Sequence, residues 1–124
     1  MFGPGLDKKL QRIHERKGAR MAAQILREVG YPEKQAKVIV SIIKSHDTSS
    51  RPRSLNEKIV KDSDRLWRFS RKGFTIDRRR FKVLPKEYLS YLEKRIEELF
   101  FTESAKRIAR EEVQKRRKGI LYCQ

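Results

Sequence analysis

The decisive segment of this sequence is residues 54–66, which reads SLNEKIVKDSDRL. Ser54, followed three residues later by Glu57, forms a capping box, the pairing that satisfies backbone N–H groups where a helix begins. The segment therefore predicts the start of a helix. Asp62 and Asp64 then lie inside that helix, although Asp is a poor helix former. Two such residues so close together require a reason.

Two explanations of this Asp pair stay open. In the first, one Asp is a metal ligand, a role that carboxylates fill well. Helical phase does not choose the ligand, because Asp62 lies at the margin of the apolar face and Asp64 lies farther round it. In the second explanation, both form ion pairs with the neighbouring cations, which are Lys58, Lys61, Arg65 and Arg68.

Both histidines of the chain, His14 and His46, fall on apolar faces of predicted helices. His14 lies one turn before Gly18, and a glycine there lets another backbone or a ligand come close. His46 closes an apolar helix and is followed by Asp47. An imidazole at that position can reach into a cavity, and it interacts favourably with the negative end of the helix when protonated. The structural alternatives are a hydrogen-bonded core histidine for His14 and a dipole-stabilising histidine for His46.

The two histidines and the Asp pair indicate a metal site more strongly together than singly. Two imidazoles and a carboxylate on three successive helices can converge in a bundle. With open coordination positions, they form the ligand set of a hydrolytic divalent metal site. Such a metal activates a water and neutralises a phosphate, while nearby Lys and Arg side chains bind the remaining phosphate oxygens.

The composition limits the fold and the partners. The chain has 124 residues, 39% charged and 37% hydrophobic, which suits one small domain with a thin core of amphipathic elements. Its formal net charge of +16 favours polyanions without choosing among nucleic acid, phosphorylated small molecules and an anionic membrane surface. The single cysteine, Cys123, forms no internal disulfide and predicts a reducing cytoplasm. We find no signal-peptide pattern and no apolar run of membrane-spanning length, so we expect no membrane partner.

Capping residues and helical periodicity predict an all-α fold, because no segment alternates apolar and polar residues convincingly. Gly30 is expected to end the first helix, and Asp7 to lie at its N-cap or in its first turn. Residues 73–84 are predicted to be irregular or weakly extended. About five helices are predicted, over residues 7–29, 32–46, 54–69, 85–101 and 102–119. The expected buried faces contain Leu10, His14, Gly18, Met21 and Ile25 in the first helix and Ile39, Ile42, Ile43 and His46 in the second.

The order of these motifs resembles that of HD-domain metal-dependent phosphohydrolases. Those proteins carry helical metal ligands as a first His, a His-Asp pair, often further His residues, and a final Asp. Here the matching segments are IHERKGA at residues 13–19, the apolar helix that ends at His46, and KDSDRL at residues 61–66. The resemblance covers about residues 9–74. Its last segment is the most specific part.

The resemblance implies an HD-like helical bundle that binds a divalent metal ion. It implies that His14, His46 and Asp64 are metal ligands and that Arg65 lies close to the substrate phosphate. It does not carry over to Asp47, because the signature His-Asp pair of the family belongs on a helix before the one that holds His14.

The first His and the signature His-Asp pair of the family have no counterpart here, since the residues before His14 contain no histidine. We therefore expect an incomplete bundle. Residues 1–74 would form the carboxy-terminal part of the metal-binding core, and residues 75–124 a basic helical tail that packs on the same domain.

Three functions follow as hypotheses. The first is a metal-dependent phosphohydrolase that acts on a nucleotide or another phosphate ester. The second is an inactive fragment of that fold, whose exposed apolar faces would favour homo-oligomers. The third is a basic helical nucleic-acid-binding protein, indicated by RFSRK at residues 68–72 and RRRFK at residues 78–82, where aromatic side chains interleave with cations. The alternative for those two segments is a solvated basic surface.

Overall fold

The computed structural model describes residues 8–48 and 51–122, and all regular structure in these residues is helical. The helices are α1 Lys8–Glu28, α2 Glu33–Lys44, α3 Leu55–Leu66, α4 Arg71–Arg80, α5 Pro85–Lys94, α6 Ile96–Leu99 and α7 Glu103–Tyr122, with a 3₁₀ turn at Trp67–Phe69. The all-α prediction is confirmed. The predicted number of about five is wrong, since the described residues contain seven α-helices. The predicted cap Asp7 and the cysteine Cys123 lie outside the described residues.

The described residues divide into two compact units. The amino-terminal unit contains those up to Val60, and the carboxy-terminal unit runs from Lys61 onward. The boundary falls inside α3, so this helix contributes to both units. The sequence predicts a different division, at residue 74, which marks the end of an HD-like core. That division stays a prediction. In the part of the chain that the structure describes, no helix combines the length and the hydropathy needed to span a bilayer.

A tight turn at Gly30 joins α1 to α2. Gly30 has a φ of +67°, in the left-handed region that favours glycine. Its N–H donates to the carbonyl of Arg27 at 3.1 Å, and the N–H of Tyr31 donates to the carbonyl of Leu26 at 2.8 Å. This pair of bonds is the Schellman arrangement, which ends a helix at a glycine. The predicted C-cap is confirmed.

The side of α1 that packs against α2 is built from small residues. Ala19 is buried, and Gly18 and Ala22 are partly buried. A Cβ added to Gly18 would lie 3.5 Å from the Cγ2 methyl of Ile43, so the two helices approach closely there. The predicted apolar face is wrong at four residues that are exposed, Leu10, His14, Met21 and Ile25. The residues predicted on the buried face of the second helix are partly rather than fully buried, and they are Ile39, Ile42 and Ile43 of α2 and His46 just after it.

Ser54 caps α3, as predicted. Its Oγ accepts a hydrogen bond from the N–H of Glu57 at 3.1 Å. The carboxylate of Glu57 accepts from the backbone N–H of Arg53 and, at 2.9 Å, from its Nε. Arg53 also donates to the hydroxyl of Ser41 in α2 at 3.0 Å. The start of α3 is therefore attached to α2 through one arginine.

The prediction of irregular structure over residues 73–84 is wrong, because α4 covers most of the segment. Ser70 begins the helix by accepting the N–H of Gly73 on its hydroxyl at 3.1 Å. Phe74 and Asp77 are one helical spacing apart and are both buried. The run of glycine, β-branched and basic residues here has weak helical periodicity. The cap and the burial of two side chains decide the structure instead.

The predicted fourth helix is interrupted at Arg95, where φ is −106° and ψ is 2°. Pro85 occupies the first turn of α5, as predicted. Thr102 caps α7, since its hydroxyl accepts the N–H of Ala105 at 3.2 Å. The last helix continues past Gly119, where the sequence predicted its end.

The hydrophobic core lies in the carboxy-terminal unit. It is built from the 3₁₀ turn and α4 to α7, and it includes Phe69, Tyr88, Leu92, Ala109 and Val113. Aromatic rings pack within it, with ring centres 5.4 Å apart for Phe69 and Phe100 and 5.3 Å apart for Phe74 and Tyr88. Among the described residues of the amino-terminal unit, the buried ones are Glu15, Ala19 and Glu57. That unit therefore buries carboxylates rather than large apolar side chains.

Candidate metal site

His14 of α1 and His46, just beyond the end of α2, bring their imidazole rings together. The ring centres are 5.5 Å apart, and the ring planes are inclined by 65°. Two imidazoles that bind one metal ion at about 2.1 Å from nitrogen have ring centres roughly 5 to 5.5 Å apart. The observed separation therefore fits two ligands of one ion. His14 is exposed and His46 is partly buried.

The ring of His46 is oriented by the backbone. Its Nδ1 lies 2.6 Å from the carbonyl oxygen of Ile43. Because a carbonyl oxygen only accepts, Nδ1 carries a proton, and in the neutral ring Nε2 carries the lone pair. Metal-binding histidines commonly donate from one nitrogen in this way while the other binds the metal. The same bond also suits a histidine whose role is to satisfy the last carbonyls of a helix.

Glu15, next to His14, attaches the end of α2 to α1. Its side chain is 2% exposed. One carboxylate oxygen accepts the N–H groups of Asp47 and Thr48, both at 2.8 Å, and the other accepts the Thr48 hydroxyl at 2.6 Å. Burial raises the pKa of Glu15, but these hydrogen bonds and nearby His46 outweigh it, so the pKa lies below its ordinary value. The ionised carboxylate holds the residues after α2 beside His14.

Glu15 is a residue that reasoning from the sequence missed. A signal was present, because Gly18 and Ala19 lie three and four residues later, on the same side of the helix. Small residues on one side of a helix indicate where another helix comes closest. A carboxylate in line with them is buried and requires hydrogen-bond donors. Those donors come from the loop after α2, which has no pattern that identifies them in advance.

The two Asp residues of α3 have different surroundings, both within the carboxy-terminal unit. Asp62 is 2% exposed. Its carboxylate accepts the N–H of Phe101 at 2.9 Å, and the N–H and hydroxyl of Thr102 at 2.9 and 2.8 Å. Asp62 therefore ties the start of α7 to α3, a structural reason for an Asp inside this helix. Asp64 is exposed.

Arg65, the residue that the resemblance places beside phosphate, contacts the same part of the unit as Asp62. Its guanidinium donates to the carbonyl of Leu99. It also lies 5.1 Å from the centre of the Phe101 ring, in a cation–π contact. A role beside phosphate stays a prediction.

Of the three predicted metal ligands, the structure brings two together. His14 and His46 meet in the amino-terminal unit, whereas Asp64 belongs to the carboxy-terminal unit. Within residues 8–48 and 51–122, no three His, Cys, Asp or Glu side chains form a metal-binding group. The two imidazoles thus fit part of a coordination sphere.

Comparison of the chain with protein-family models, with curated proteins and with solved structures gives no significant match. The resemblance to HD-domain proteins therefore rests on its motifs at residues 13–19 and 61–66 and on the helix that ends at His46.

Proposed function

We propose that this chain contributes two histidine ligands to the divalent-metal site of an HD-type phosphohydrolase, which hydrolyses a nucleotide or another phosphate ester. The observation that carries the proposal is the 5.5 Å separation between the ring centres of His14 and His46. The bond from Nδ1 of His46 to the Ile43 carbonyl adds support, because it assigns the lone pair of the neutral ring to Nε2. The resemblance adds Asp64 as a third ligand and Arg65 as a phosphate-binding residue.

The chemistry that a divalent metal supplies at such a site is a bound water of lowered pKa and a neutralised phosphate charge. The protein itself supplies orientation. Ionised Glu15 binds the backbone N–H of Thr48 and so keeps His46 beside His14. Two imidazoles are an incomplete ligand set. The remaining ligands would be Asp64 and, following the family pattern, the first His and the signature His-Asp pair, which have no counterpart among these 124 residues.

Metal binding can be tested at the two rings directly. Because the chain has two histidines, long-range ¹H–¹⁵N spectra resolve each imidazole nitrogen. We expect titration with Zn²⁺ to shift the nitrogens of His14 and His46 along one shared binding curve. His14→Gln should weaken the response of His46 by about ten-fold or more, because each imidazole contributes separately to affinity.

A matched control uses Gln24→Ala, an exposed residue of α1 that bonds to Glu28 at 2.9 Å. This change should leave the Zn²⁺ curve unaltered. Two independent curves for the two rings, or no shift in millimolar Zn²⁺, would contradict the proposal.

Hydrolysis is a separate measurement, made with a chromogenic phosphate monoester and with nucleotides in the presence of Zn²⁺ or Mn²⁺. Metal-dependent hydrolysis should disappear in His46→Ala and persist in Lys44→Ala, an exposed change at the end of the same helix. Shared Zn²⁺ binding without hydrolysis would support the inactive form of the proposal, in which the chain keeps two ligands but not the rest of the site. Hydrolysis that is unchanged in His46→Ala would refute a role for that residue.

Nucleic-acid binding is a weaker second candidate. Phe69, in the basic segment at residues 68–72, is 1% exposed and belongs to the core. Phe81, in the segment at residues 78–82, is partly buried against Tyr88. Single-strand binding relies on aromatic rings that stack on bases, and Phe69 is not accessible for that role. The net charge of +16 still attracts nucleic acid. If the protein binds RNA through this charge, the affinity should fall steeply as the salt concentration rises.

A further inference from the structure

A cleft of about 690 Å³ opens on the carboxy-terminal unit, between α4, the start of α5 and the end of α7. Five cationic side chains line it, namely Arg71, Arg78, Lys86, Lys115 and Arg116. No carboxylate of the described residues is among the lining side chains. Because low-dielectric walls concentrate the field of such charges, the cleft attracts anions.

The positive charge of the cleft is only partly compensated. Lys115 and Arg116 share a single carboxylate, that of Glu112, with N–O distances of 2.6 and 3.4 Å. The other three lining cations form no ion pair with a carboxylate in the part of the chain that the structure describes. The cleft therefore holds more positive charge than its neighbours neutralise.

Arg116 is a largely buried cation in the wall of the cleft. Its side chain is 15% exposed. Its Nε is buried and has no hydrogen-bond acceptor among the described residues. Buried N–H groups normally have an acceptor, and a guanidinium presents paired N–H donors that match the oxygens of a phosphate. Nε itself is enclosed by protein, so a phosphate group in the cleft would bind the terminal nitrogens of this partly exposed guanidinium instead.

The rest of the wall is largely apolar. It is formed by Phe74 and Ile120 together with Leu84 and Pro85, the two residues at the start of α5. Leu84 is 67% exposed, an unusual position for a large apolar side chain that borders a cationic cleft. Pockets for small molecules commonly measure about 300–1,000 Å³ and combine apolar walls with a few polar groups. The size and lining fit an anion that is joined to an apolar or aromatic group.

We propose that this cleft is a binding site for a phosphate ester that carries an aromatic or apolar group and is of about the size of a nucleotide. Phosphate oxygens bind the five cations, and the apolar part of the ligand lies against Phe74, Leu84 and Ile120. The cleft is lined by none of the residues of the proposed metal site, which are His14, His46, Asp64 and Arg65. Failure of either proposal leaves the other intact.

The first test compares two probes of similar charge that differ in the apolar part. Binding of ATP and of inorganic tripolyphosphate to the full chain is measured by calorimetry in buffer of physiological ionic strength without divalent metal. The apolar wall predicts ATP affinity at least about five-fold higher than that of tripolyphosphate. Equal affinities would overturn the proposal, since they would mean that charge alone is recognised.

The second test compares neighbouring arginines on α4. Arg78 lines the cleft, whereas Arg79 is exposed and does not line it. We expect Arg78→Gln to weaken ATP binding about five-fold or more and Arg79→Gln to change it less than about two-fold. Lys86→Gln, an exposed change on α5, should act like Arg78→Gln. Circular dichroism checks that the variants keep their helical content.

The alternative to this proposal is that the cleft belongs to a surface that binds polyanions without recognising an apolar group. It would show itself as tight binding of a single-stranded oligonucleotide with a steep salt dependence. Arg78→Gln and Arg79→Gln would then weaken binding equally, since each removes one charge. The Zn²⁺ response of the two histidines reports on the metal site alone, so the two proposals can be judged separately.

Discussion

Glu15 and Asp62 make the same set of contacts in the two units. Each is a helical carboxylate that is 2% exposed. Each accepts two consecutive backbone N–H groups and one threonine hydroxyl, from Thr48 in the first case and Thr102 in the second. In each case three hydrogen-bond donors compensate the burial of the carboxylate oxygens. Both residues therefore join distant parts of the chain.

The charge on Glu15 makes the stability of the chain depend on pH. The folded pKa of Glu15 lies below its ordinary value of 4.5, so its contribution is complete above that pH and is lost as pH falls through the folded pKa. We expect Glu15→Gln to lower the free energy of unfolding by roughly 1–3 kcal/mol near neutral pH. The difference from the natural chain should shrink below about pH 4. Urea unfolding followed by circular dichroism at several pH values measures it.

Glu28→Gln is the matched control for this prediction, because Glu28 is exposed on the same helix. It should change the unfolding free energy by less than about 0.5 kcal/mol at any of these pH values. If Glu15→Gln lowered the unfolding free energy by the same amount at every pH, including below about pH 4, the negative charge of Glu15 would not be the cause. This result would contradict the prediction.

The 3₁₀ turn and α4 approach so closely that only glycine fits between them. A Cβ on Gly73 would lie 1.9 Å from the carbonyl oxygen of Trp67 and 2.7 Å from its carbonyl carbon. Both are backbone atoms, which cannot move as the end of a flexible side chain does. The close contact comes right after the Ser70 cap, so the same few residues begin α4 and fix its distance from the preceding turn.

Gly73→Ala should therefore destabilise the chain by at least about 2 kcal/mol, because the turn must be displaced to admit the methyl group. Gly119→Ala is a suitable comparison in α7, where an added Cβ meets nothing within 4 Å. There the higher helix propensity of alanine should increase stability by up to about 1 kcal/mol. Unfolding midpoints of the two variants in urea should move in opposite directions. Equal midpoints would contradict the tight contact.

The helix caps were easier to predict from the sequence than the helix faces, although the predicted end of the last helix at Gly119 was wrong. Ser54, Thr102 and Gly30 act on backbone groups within a few residues, so the local sequence is sufficient to identify them. The burial of Phe74 in α4 and of Glu15 in α1 depends on partners that are distant in sequence. Period and composition do not reveal those partners. For the same reason the sequence predicted His14 and His46 as candidate ligands, but not the carboxylate that holds them together.

Burial is distributed unevenly over the whole molecule. The hydrophobic core cluster lies in the carboxy-terminal unit, whereas many large apolar side chains of the amino-terminal unit are exposed. Those that are at least half exposed are Leu10, Ile13, Met21, Ile25, Val29, Val38 and Leu55. Apolar surface of this extent favours association, because burying it between molecules removes it from water.

We therefore expect the isolated chain to self-associate reversibly, as sedimentation velocity over a range of protein concentrations would measure. Met21→Lys combined with Ile25→Lys should shift the weight-average sedimentation coefficient toward that of the monomer. Ile76→Lys, a change at a 44% exposed residue of α4, should leave the association unchanged. A well-folded monomer at every concentration would contradict this prediction and the expectation of a homo-oligomer.

The boundary between the two units lies inside α3, and this affects whether either unit can recombine with other proteins on its own. Modules that recombine during evolution usually meet at a flexible linker, where few contacts cross. Here the backbone passes from one unit to the other in mid-helix, between Val60 and Lys61. A fragment that started at Lys61 would begin without the Ser54 cap and with unsatisfied N–H groups on its first turn. The two units are therefore expected to be inherited together, with α3 intact.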